Sequence, residues 1–62
     1  MATIIQGHKV KLYDAFETRR QAEFNAQTYK SLGVEFVFVK NISQRRLKYG
    51  VFLGGKNSYM YD

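Results

Sequence analysis

The sequence predicts a small α+β domain in which one helix packs on one face of a three- to four-stranded, mostly antiparallel sheet. The order is β-α-β-β, with a further short strand at each terminus. Three features predict it. Residues 8–16 alternate in polarity, Thr18 to Leu32 has helical spacing with signals at both ends, and two runs rich in β-branched and aromatic residues follow Gly33. Sixty-two residues make a single domain, 1–62, with no repeat, no proline and no low-complexity stretch. A chain this short buries only about 60% of the surface its unfolded form exposes. Five Phe and five Tyr are its means of building a core, because there is no cysteine for a disulfide.

The first element is His8–Phe16 (HKVKLYDAF). Val10 and Leu12 point one way and Lys9, Lys11 and Tyr13 the other, the pattern of a half-buried strand. Ile4 and Ile5 form a short strand of their own that turns at Gln6-Gly7. Next, Thr18-Arg19-Arg20-Gln21 matches a capping box, in which the Thr18 hydroxyl accepts from the Gln21 amide and the Gln21 side chain returns the bond. The helix then runs from Arg19 to about Leu32, and Gly33 stops it. Ala22, Ala26, Tyr29 and Leu32 share its core face, and the two alanines let it approach a sheet closely. Phe24 falls off that stripe.

Val34–Val39 reads as a strand buried on both faces, broken only by Glu35. Residues 40–46 form a polar turn. Leu47, Tyr49, Val51 and Leu53 alternate with Lys48, Gly50 and Phe52 in a third strand. Gly54-Gly55 signals a two-residue hairpin, returning Asn57–Tyr61 as a last short strand.

The net charge is +5, and the strands carry the surplus. Residues 36–62 hold Lys40, Arg45, Arg46, Lys48 and Lys56 against Asp62 alone, whereas residues 14–35 hold four of the five acids. If Val10, Leu12, Leu47, Tyr49, Val51 and Leu53 face the helix, the open face shows Lys9, Lys11, Arg46 and Lys48 beside Tyr13 and Phe52. The expected hairpin adds Tyr59 and Tyr61 to that face. Arg45 and Lys56 flank it in the turns. Cations interleaved with rings suit nucleic acid, since the cations meet phosphates and the rings stack on unpaired bases. The same lysines would also serve a strand that must not aggregate, with no ligand at all.

The expectation is therefore a small basic nucleic-acid-binding protein using the open face of its sheet. RNA is favoured over DNA as partner, and ribosome association fits the size and charge. The alternative is a protein-interaction module (a homodimer, adaptor or small inhibitor) that uses Phe24 as anchor and a free sheet edge.

Catalysis is not expected. Gly50-Val51-Phe52-Leu53-Gly54-Gly55-Lys56 fits the start of a P-loop, but Asn57 stands where Ser or Thr is needed, and the middle is an apolar strand. Asp14 and Glu17 read as partners of a helix N-terminus rather than an acid–base pair. His8, the only histidine, has neither an orienting partner nor further ligands, so no metal, cofactor or small-molecule substrate is expected. No run approaches the roughly 20 apolar residues of a membrane helix, and Met1–Ile5 is too short and uncharged for a signal peptide. The expected location is the cytoplasm.

Overall fold

The computed structural model describes residues 3–58. Its elements are β1 (Thr3–Ile5), β2 (His8–Phe16), α1 (Arg19–Ser31), β3 (Phe36–Asn41) and β4 (Tyr49–Gly54). The strands form one sheet in the order β1-β2-β4-β3, and every neighbouring pair is antiparallel. β2 and β3 consequently run parallel, with β4 inserted between them and α1 making the crossover. This is the α+β arrangement expected, with the extra N-terminal strand present.

The β1–β2 turn is built by Gln6 and Gly7, both at positive φ (52° and 81°). Two consecutive positive φ values match the right-handed twist of a two-residue hairpin, and Ile5 and His8 pair across it. α1 starts and stops where its sequence signals lie. The Thr18 hydroxyl accepts from the Gln21 amide at 3.3 Å and donates to Gln21 Oε1 at 3.3 Å. At the far end Gly33 has φ +95°; its amide bonds to the Lys30 carbonyl, and that of Val34 reaches back to Tyr29. This is a Schellman closure, which satisfies carbonyls the helix would otherwise leave open.

Both faces of the sheet carry a core. Against α1 lie Ala22, Ala26, Val34, Val51 and Leu53, flanked by Phe16, Tyr29, Val37, Val39 and Tyr49. On the opposite face a second cluster joins Ile5, Val10 and Phe52, with Phe36, Phe38 and Ile42 packed on it. That cluster unites residues from β1 and β3, the two edges, so the sheet curls and the face turned away from α1 is concave. Curling is what lets Val10 (2% exposed) and Phe52 (6%) be dry without a covering helix.

β2 carries a bulge: Leu12 pairs with Phe52 and Asp14 with Val51, leaving Tyr13 as the extra residue. Asp14 Oδ1 accepts from the Ala15 amide at 2.8 Å, so this acid secures the bulge rather than the helix start. The extra residue reverses the parity of the strand. Val10 and Leu12 face the concave side, and Phe16, four residues beyond Leu12, joins the helix-side core.

Four expectations are corrected. Val10 and Leu12 face away from α1, not towards it. The strand expected over Val34–Val39 spans Phe36–Asn41 and is only half-buried, because it is an edge strand. Leu32 is 54% exposed, and Val34, after the chain reverses, takes its place in the core. Finally, Gly54-Gly55 makes no hairpin. Both edges of β4 are already paired, with β2 and with β3, so no edge remains for a returning strand. The chain instead docks on the α1–β3 connection: the Glu35 amide donates to the Lys56 carbonyl (3.0 Å), the Lys56 amide to Glu35 Oε1 (3.0 Å), and Asn57 Nδ2 to the Gly33 carbonyl (2.7 Å).

Candidate nucleic-acid interface

The register fixes two ends and two faces. At one end Phe16, Tyr49 and Asn41 lie side by side, next to the start of α1 and the 42–48 loop. At the other are Gly33 and residues 54–58. Faces follow from cross-strand partners: Lys11 sits opposite Leu53, a residue of the helix-side core, and Lys9 sits opposite Ile4.

The cationic platform expected from the sequence does not assemble. Lys9 and Lys11 are exposed on the helix side of β2, beyond the flank of α1. Tyr13 is on that side too, its ring edge-on to Tyr29 at 5.1 Å and 75°. Phe52 does lie on the open face, but as the buried floor of the concavity. Arg46 and Lys48 belong to the loop before β4, together with Arg45, and Lys56 sits at the opposite end of the molecule. Tyr59 and Tyr61 lie outside the described residues. The cause is the double-sided core: strict alternation in β2 says that Val10 and Leu12 share a face, not which face, and the second cluster claims them.

Other residues occupy the open face. His8, Phe36, Phe38 and Lys40 stand on it, with Leu12 exposed beside them. The imidazole of His8 stacks on Phe36 with centroids 3.8 Å apart and planes at 20°, and lies 6.3 Å from Phe38 at 16°. Gly54 pairs with both Val10 and Phe36, so no side chain stands between β2 and β3 there. His8 leans across that bare strip. Sequence reading passed over Phe36 and Phe38 as residues of a doubly buried strand. The signal was present as the period-two series Phe36, Phe38, Lys40, which acquires meaning once β3 is an edge.

The open face joins a basic loop. Ile42 donates to the Lys48 carbonyl at 2.8 Å and closes the loop at its base. Asn41 Oδ1 accepts from both the amide (2.8 Å) and the hydroxyl (3.0 Å) of Ser43, which sits at φ +53°. This Asx turn throws residues 43–48 outward. Arg45, Arg46 and Leu47 line a shallow depression with Ser43 and Gln44, and all are exposed. Among the described residues no acid pairs with Lys40, Arg45, Arg46 or Lys48. Of the described acids, Glu17 precedes α1 at this end of the sheet, Asp14 secures the bulge, Glu23 pairs with Arg19 at 3.0 Å, and Glu35 is bonded to the Lys56 amide.

The helix flank over β2 has a polar cluster of its own. Burial raises the pKa of the Tyr29 phenol above its usual 10.0. Its hydrogen bond with Tyr13 and the nearby charges of Tyr13 and Asp14 add to this, and Asn25 opposes it. Phe24 stands on the outer face of α1, 78% exposed, above a depression lined by Phe16, Arg20, Gln21 and Asn25. Among the described residues no group of His, Cys, Asp and Glu is arranged to hold a metal, and no helix is long and apolar enough to cross a membrane. No family model, curated protein or solved structure matches the chain.

Proposed function

We propose that the protein binds nucleic acid through the 42–48 loop and the adjoining open face of its sheet. One observation carries this reading: Lys40, Arg45, Arg46 and Lys48 project within nine residues of one hairpin, without an acid partner among the described residues. A polyanionic backbone is the ligand that such a loop suits. RNA is put ahead of DNA because unpaired strands are its usual targets for proteins that offer rings rather than a groove-filling helix.

The test uses two cations on opposite faces of the same sheet. Binding of a fluorescently labelled RNA strand should be measurable at low salt and fall steeply as salt rises. Lys40→Glu, or Arg45→Glu with Arg46→Glu, should flatten the salt dependence by about 0.7 per lost phosphate contact. Lys9→Glu makes the same change in net charge on the helix side and should leave the slope as it was. Equal effects from Lys9 and Lys40 would reduce the attraction to net charge alone and sink the proposal.

A second reading rests on Phe24 and on β3, whose outer backbone groups have no strand partner among the described residues. An exposed aromatic anchor and an open edge suit a protein partner, including a second copy. Light scattering on the eluted protein separates the two: a tight dimer indifferent to RNA at low salt favours this second reading.

A further inference from the structure

Within the nucleic-acid reading, on which this rests, we infer that Phe38 is a stacking site for an unpaired base and that the ligand is therefore single-stranded. No described element covers the concave face, and its only ionisable side chains among the described residues are His8 and Lys40, with no acid. It thus has apolar rings in the middle, positive charge along one rim, and no described acid to repel a phosphate. His8 already shows the geometry in miniature. A planar nitrogen heterocycle lies flat on Phe36 at 3.8 Å, in the way a base lies on an aromatic side chain. Phe38 is half-buried, packed with Phe36 and Ile42 on the cluster of Ile5, Val10 and Phe52, and the nearly parallel ring of His8 lies 6.3 Å from it. Along β3, Phe36, Phe38 and Lys40 succeed one another at about 6.6 Å on one face, so a base on Phe38 brings its phosphate towards Lys40 and the loop. A duplex cannot use this arrangement, because its base faces are spent in its own stack.

The experiment compares matched single-stranded RNA, single-stranded DNA and duplex at low salt, together with a single strand carrying 2-aminopurine. Both single strands should bind about tenfold more tightly than the duplex, in line with one stacked base. RNA against DNA then identifies the natural source of the strand. The 2-aminopurine fluorescence should be quenched on binding. Phe38→Leu should bring single-strand affinity down to the duplex level and leave the duplex unchanged, and Phe38→Tyr should keep the preference. Arg45→Glu should weaken all three ligands. Equal binding of strand and duplex, or binding without quenching, overturns the stacking site while the backbone-binding proposal stands. A protein that binds none of them overturns both. A dimer that Phe38→Leu converts to monomer overturns it as well, since the face would then belong to a second copy.

Discussion

Three glycines separate what a missing side chain can do. A Cβ on Gly54 would fall on the Lys9 carbonyl oxygen and within 2.6 Å of Val10 Cγ1, and a backbone carbonyl in a paired strand cannot move aside. A Cβ on Gly50 meets only side chains, Leu12 Cδ1 at 2.6 Å and Ile42 Cγ2 at 3.0 Å, and the closer of the two is the far end of an exposed leucine. Gly7 has open space around it and only its φ of +81° to defend. Gly54→Ala should therefore cost about 3 kcal/mol, the upper end of overpacking, and Gly50→Ala about 1 kcal/mol. Gly7→Ala should cost about 1 kcal/mol through backbone strain alone. Urea midpoints at unchanged m-value rank them; a Gly54 variant no worse than the Gly50 variant would mean that the sheet is not curled tightly at this point. A second residue-scale effect is alkaline. The folded-state pKa of Tyr29 is raised, so its contribution is complete below the unfolded value near 10.0 and is lost as pH climbs through the raised one. Stability should fall above pH 10.0, and Tyr29→Phe should make that fall shallower in melts taken across the range.

At the level of elements, the helix was legible and the faces of the strands were not. Thr18, Gln21 and Gly33 act on their own neighbours along the chain, so the sequence holds all the information their geometry needs. Thr18→Ala should cost about 1 kcal/mol, the usual worth of such a cap. Glu23→Ala breaks the exposed pair with Arg19 and should cost a few tenths of a kcal/mol, about what a solvent-screened i,i+4 pair returns. Thermal melts of the two variants should differ accordingly. β2 is the opposite case. Its period of two was read correctly, yet the side taken by Val10 depends on Ile5 and Phe52 in other strands, and the bulge at Tyr13 shifts the period before Phe16. Nothing within HKVKLYDAF announces either. The failed hairpin at Gly54-Gly55 has the same origin, because whether a strand has a free edge is a property of the sheet. The candidate site inherits this limit. The loop cations were legible as a cluster, whereas Phe36, Phe38 and His8 become neighbours only through a strand that enters the sheet last.

Over the whole molecule, the separation of charge seen along the sequence survives folding, but its geometry changes from a face to an end and a rim. Lys40, Arg45, Arg46 and Lys48 gather around the β3–β4 loop; Lys9 and Lys11 stand on the other side of the sheet, and Lys56 at the far end. The distinction is measurable because each phosphate neutralised on a single strand contributes about −0.7 to the slope of log K against log salt. A ligand lying along the loop and Lys40 meets four cations, which gives a slope near about −3. One that also drew on Lys9, Lys11 and Lys56 would meet three more and approach about −5. Lys30→Glu, on the last turn of α1, lowers the net charge as much as Lys40→Glu does. It should shift the affinity slightly at all salt concentrations and leave the slope near about −3. A titration in which Lys30→Glu and Lys40→Glu reduce the slope alike would show that the strand responds to the total charge of the molecule, and the loop would lose its claim to be the binding site.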